Sequence, residues 1–302
     1  MIYSFSLYFL GIFLFLFSIQ PVLFWIVIEI NLISFIFLIF IIETKKKIFQ
    51  EESIFLYFII QSLGRFLFLL RIYLKEEIYI FYDLFFLVSL TLKLGIFPLF
   101  FWIVDIGRSL GCIIFILILS VQKIPIFLIF FNIISRFTLL FLFSSLAFGG
   151  LIIFFSRNIY DVLIYSSIYS SFWVYLIYLQ DLYFYLSFFF IYFISIFFLV
   201  SNRVFSKENI FRVRFFIFIC GLPPFSIFFF KFFIVYNAFQ INLNSFFLLF
   251  WTFRFISLIG YFKFFYSIFF LDKFLYLKDK FCFKKISFLI SVVMLSGVFL
   301  AY

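Results

Sequence analysis

An all-α, polytopic membrane fold of about eleven transmembrane helices follows from three observations on the sequence. Hydrophobic residues make up 68% of the 302 positions and charged residues only 12%, against roughly 45–50% and about 25% in a soluble domain. Apolar stretches of about 20 residues, the length that spans a bilayer, follow one another from Tyr3 almost to Tyr302. The basic residues gather in the short loops between them, which is the pattern of membrane orientation. No soluble fold could bury this much apolar surface, and no polar linker interrupts it, so residues 1–302 read as a single transmembrane domain.

The spans follow from apolar runs read against charges and turn residues. The first, 3–20, stops before Pro21, and the second, 21–42, stops before Glu43 and the Lys45-Lys46-Lys47 run. The third, 54–74, lies between Glu51-Glu52 and Lys75, and the fourth, 79–104, ends at Asp105. The fifth covers 112–133, the sixth 137–155 between Arg136 and Arg157, and the seventh 159–178. The eighth, 183–201, runs from Asp181 to Arg203; the ninth covers 211–236, the tenth 245–270 and the eleventh 286–302. Loop charge supports this count, because alternate loops lie on opposite sides and Lys/Arg favour one side. Counting span ends with the loops, the side after the even spans carries fourteen of the 23 basic residues, and the odd side carries only Arg71, Lys75 and Arg136. The N-terminus is thus expected on the positive side, which in a mitochondrion is the matrix, and the C-terminus opposite.

The net charge of +10 therefore reflects loops rather than a nucleic-acid surface. Cys112, Cys220 and Cys282 lie far apart and there is no histidine, so neither a zinc site, a disulfide framework nor a histidine proton shuttle is suggested. No Arg-rich presequence is apparent before the first span, and the chain is expected to insert as made. The 65 phenylalanines exceed what packing needs and read as the nucleotide bias of a T-rich organelle genome.

Prolines supply a second regularity. The fourth span holds Lys93-Leu94-Gly95-Ile96-Phe97-Pro98, and the ninth holds Gly221-Leu222-Pro223-Pro224 followed by Lys231. Proline inside a helix costs about 3 kcal/mol, so breaks at membrane depth line protein or water rather than lipid. The spans after them, five and ten, each carry a lysine, Lys123 and Lys263. A five-helix unit repeated once comes out inverted, the plan of transporters with broken helices at matching positions. We expect repeat one at about 3–133, repeat two at about 137–270 and an added helix at about 286–302.

A charge at the bilayer centre costs about 2.5–3.5 kcal/mol or more, so ionisable residues within spans are functional candidates by default. Glu29, Lys93, Lys123 and Lys231 lie deepest. A lysine there either pairs with a carboxylate or gives up its proton readily, which suits a proton relay. If Glu29 meets Lys93, separating the pair would pass a proton toward Lys123. The competing reading is a static ion pair that fixes helix register. For Lys263 and Arg254 in the tenth span and Arg65 in the third, snorkelling toward an interface competes with function. Asp105 and Asp181 read as solvated or capping residues, and Tyr165-Ser166-Ser167 as helix packing through small polar groups.

At these residues the chain resembles the subunit 2 family of mitochondrial NADH dehydrogenase, antiporter-like membrane subunits of respiratory complex I. Trp25-Ile26-Val27-Ile28-Glu29-Ile30-Asn31 resembles the family's Trp-x-x-x-Glu-hydrophobic-Asn segment. Lys93-Leu94-Gly95-Ile96-Phe97-Pro98 with Phe101-Trp102 resembles Lys-Leu-Gly-x-x-Pro and its following Phe-Trp. Gln122-Lys123, Tyr165-Ser166-Ser167-Ile168 and Gly221-Leu222-Pro223-Pro224 with Lys231 match in the same order along the chain. The resemblance implies an eleven-helix, antiporter-like fold in the mitochondrial inner membrane. It also implies a Glu29/Lys93 pair, Lys123 as central lysine, Lys231 as terminal relay lysine, and neighbouring antiporter-like chains, accessory subunits and lipids as partners. No cofactor is expected on this chain, since NADH, FMN, iron–sulfur clusters and ubiquinone would belong to other subunits. Departures are Phe100 and Ser170 where the family has histidines, Tyr160-Asp161 in place of a basic pair with Arg157 as the nearest cation, Pro125 one residue closer to Lys123, and Ile227 for a glycine. The implied function is proton translocation coupled to electron transfer from NADH to ubiquinone. The alternatives are another antiporter-like subunit, a cation/proton antiporter component, or a structural spacer with inert pairs.

Overall fold

The computed structural model describes residues 2–17, 20–46, 51–74, 79–131, 136–156, 158–178, 182–205, 227, 229–233 and 252–263. Every regular element among them is a helix: α1 (Ile2–Phe17), α2 (Pro21–Lys46), α3 (Glu51–Leu74), α4 (Tyr79–Leu94), α5 (Phe101–Ser109), α6 (Cys112–Leu119), α7 (Lys123–Phe131), α8 (Arg136–Phe155), α9 (Ile159–Tyr178) and α10 (Leu182–Phe205). A further helical stretch covers 252–263. The Gly221–Pro224 break and the eleventh span lie outside the described residues.

Local chemistry sets the helix ends. Proline opens α2, where its missing N–H is no loss, and Phe24 N donates to the Gln20 carbonyl at 3.1 Å. Glu51 and Glu52 occupy the first turn of α3 and Arg71 its last, each charge complementing the helix dipole. Val22–Ile42 and Glu51–Tyr73, 21 and 23 residues long, are long and apolar enough to cross a membrane. At 1.5 Å per residue they measure about 31 and 35 Å, against a hydrocarbon core of about 30 Å. Phe37, Phe55, Phe66 and Phe190 point outward, each more than half exposed, as lipid-facing side chains would.

The fourth span breaks where the sequence places the break. Gly95 adopts a φ of +57°, and a Cβ there would come within 1.9 Å of Ile103 Cδ1, so the position requires glycine. Ile96 N reaches back to Thr91 O at 3.2 Å, one residue beyond the helical partner. That leaves the Leu92 carbonyl, which accepts from the Trp102 indole N–H at 2.9 Å.

The fifth span is broken as well, which the sequence reading did not expect. Pro125 has no N–H for the Val121 carbonyl. Ile124 N takes that acceptor at 3.3 Å, Lys123 N donates to Ser120 O at 3.1 Å and Gln122 N to Leu117 O at 3.0 Å. Ser120 Oγ adds a bond to Ile116 O at 2.6 Å. The result is two helices, α6 and α7, with Lys123 opening the second.

The chain divides into two compact units, Met1–Ser145 and Leu146–Tyr302, with the division falling inside α8. In the first, α3 packs on α2, α4 and α5, α1 on α2, and α7 on α1 and α4. In the second, α9 packs on α10, and glycines permit close helix crossings. A Cβ on Gly149 would lie 3.0 Å from Tyr169 N, and one on Gly260 would lie 2.9 Å from the Phe154 backbone.

Candidate functional site

Glu29 on α2 forms its salt bridge with Arg65 on α3, not with Lys93. The Glu29 side chain is 35% exposed and that of Arg65 8%, so the carboxylate is less buried than its place in the span suggests. Arg65 is held inside by a counter-ion rather than snorkelling.

Lys93 lies near the end of α4, just before the break, and is 5% exposed. Its stem runs along Gly64 of α3, where a Cβ would meet Lys93 Cγ at 3.1 Å and Cε at 3.3 Å. The ammonium stands 5.9 Å from the centre of the Phe68 ring and has no hydrogen-bond partner among the described residues.

Lys123, 4% exposed, follows the α6/α7 break. Its neighbour Gln122 accepts a hydrogen bond from the Tyr57 hydroxyl of α3 at 2.7 Å. Tyr57 is itself buried, with its ring 5.9 Å from that of Trp102, the residue that caps the other break. Tyr57, Gly64 and Arg65 lie seven and eight residues apart on α3 and touch the surroundings of all three proposed charges of the first unit. Among them the sequence singles out only Arg65, as a charge within a span. The signal was present as the i, i+7, i+8 spacing of one helix face.

In the second unit Lys231, 4% exposed, sits over two rings of α9: 5.3 Å from Tyr169 and 5.9 Å from Trp173. These are cation–π distances. Arg254, also buried, interacts electrostatically with Tyr169, so α9 faces two cations. Lys263 is exposed, which is the snorkelling alternative and not a buried lysine. It reaches the Phe154 carbonyl near the end of α8 at 3.4 Å, a place where a helix favours positive charge.

The remaining candidates are quieter. Asp105 is exposed on α5, Asp161 is buried in the first turn of α9, and Asp181 and Arg157 lie outside the described residues. Ser166 and Ser167 bond to carbonyls of their own helix, both at 2.7 Å. Phe100 stacks on Phe101 at 4.5 Å, and the Ser170 hydroxyl donates to Ser167 O at 3.1 Å.

No family model matches the chain. It is 27% identical over 243 residues to NADH-ubiquinone oxidoreductase chain 2 of Anopheles gambiae, covering 72% of this chain and 71% of that one. Over 93 residues it is 34% identical to the protein of the same name from Albinaria caerulea, covering 30% and 29%. Among solved structures it superposes on a chain of respiratory complex I from Thermus thermophilus with a TM-score of 0.74 at 16% identity, covering 87% of this chain and 69% of that one. A chain of the membrane-bound sulfane sulfur reductase, an archaeal respiratory membrane complex, gives a TM-score of 0.73 at 15% identity, covering 99% and 72%. Sequence and fold thus agree: the chain is a homologue of NADH-ubiquinone oxidoreductase chain 2 with the fold of a respiratory-complex membrane subunit.

Proposed function

We propose that this chain is a core membrane subunit of a proton-pumping NADH:ubiquinone oxidoreductase in the mitochondrial inner membrane, and that Glu29, Lys93, Lys123 and Lys231 carry protons or charge along it. Electron transfer would take place on other subunits, which would hold NADH, FMN, the iron–sulfur clusters and ubiquinone. Its partners would be neighbouring antiporter-like subunits, accessory subunits and lipid, with eleven spans, the N-terminus in the matrix and the C-terminus in the intermembrane space.

One observation carries this reading: Lys93 and Lys123 are almost fully buried and each adjoins a helix break of the first unit. A lysine at such depth is costly, and helix breaks at membrane depth line protein or water rather than lipid. The spacer reading draws on the Glu29–Arg65 pair, which could simply fix helix register.

Lys123→Met discriminates between them, with protons translocated per NADH oxidised measured in the assembled complex. A relay should slow by roughly 10²-fold or more at this step, the usual loss on removing a positioned proton carrier, and the ratio should fall. An unchanged ratio in a normally assembled complex would favour the spacer.

A further inference from the structure

We propose that Arg65 is a positioning residue for the relay: by holding the Glu29 carboxylate on α3, it leaves the Lys93 ammonium without a fixed counter-ion among the described residues. This inference rests on the relay reading above.

Three elements bring one acid and two cations together. Glu29 on α2 pairs with Arg65, and Lys93 on α4 lies against Gly64, the residue immediately before Arg65. The two cations therefore converge on the same turn of α3, and Arg65 acts electrostatically on Lys93. Of the other charged groups on elements packed against α4, Arg71 of α3 lies over the Phe86 ring at 3.7 Å, and Lys123 opens α7. Arginine suits this role because its guanidinium stays charged under all working conditions and grips a carboxylate in a fixed geometry. It holds Glu29 without competing for the transported proton. Lys93, left beside a like charge and an aromatic ring, is the one of the two cations able to lose and regain one. Without Arg65, the carboxylate would be free to settle on Lys93 and keep it protonated.

The test compares Arg65→Gln, Arg65→Lys, Arg65→His and Lys93→Met in the assembled complex in its native membrane, reading protons per NADH oxidised against pH. Arg65→Gln should lower the ratio near neutral pH and displace its pH profile toward alkaline values by about one unit, the lower end of what a nearby anion does to a titrating group. Arg65→Lys should recover most of the ratio. Arg65→His retains the cation only at acid pH, so within one preparation it should pump well near pH 6 and poorly near pH 8, roughly either side of the histidine range. This arm also decides the matter if Arg65→Gln does not assemble. A wild-type profile in Arg65→Gln, or a wild-type pH dependence in Arg65→His, together with loss of pumping in Lys93→Met, would overturn this inference alone. Undiminished pumping in Lys93→Met would overturn the relay reading and this inference with it.

Discussion

Two buried cations, one in each unit, are settled by different means. In Met1–Ser145, Arg65 is neutralised by a carboxylate from the next helix. In Leu146–Tyr302, Lys231 rests on the faces of Tyr169 and Trp173. An ion pair is directional and fails badly when one partner is lost, because the other is left charged and desolvated. Ring faces offer a shallower, broader attraction of about 0.5–2 kcal/mol, which a moving ammonium can leave at little cost.

The largest effect should come from breaking the ion pair. Glu29→Gln leaves Arg65 buried beside a neutral amide and should cost about 3 kcal/mol, the lower end of the range for such losses, since Glu29 is partly exposed. Glu29→Gln combined with Arg65→Gln should regain most of it. Survival of the assembled complex on heating in detergent would report both. If the single and double variants behave alike, the pair is not what holds this region.

A smaller effect is expected at the rings. Trp173→Leu and Lys231→Leu, taken through a double-mutant cycle by the same measurement, should show a coupling of about 0.5–2 kcal/mol. A coupling near zero would mean that Lys231 only passes by the rings. Smallest of all, Tyr57→Phe removes one hydrogen bond to Gln122 and should cost about 1 kcal/mol. If it also changes protons pumped per NADH, the Tyr57 contact positions Lys123 as well as stabilising its helix break.

Composition and span length made the helical class legible, and Gly95 and Pro98 announced the α4/α5 break in advance. Two features escaped. The α6/α7 break was signalled by Pro125, but proline within two residues of a lysine reads as readily as a kink, and the outcome depended on where Ser120, Gln122 and Ile124 found acceptors. The partner of Glu29 escaped for a deeper reason. A membrane helix is apolar around its circumference, so no polar face tells which side meets which neighbour. Lys93 and Arg65 were both eligible by depth, and the packing of α3 against α2 and α4 decided between them.

The contacts of α3 have a mechanical meaning. Tyr57 and Gly64 lie within about 20° of each other around the helix, and Tyr57 and Arg65 about 12 Å apart along it. Through them one rod touches Gln122 beside Lys123, the stem of Lys93, and Glu29. A small turn of α3 about its own axis would strain all three contacts together, as a camshaft works several valves. Three charges on three different helices would then share a single mechanical degree of freedom.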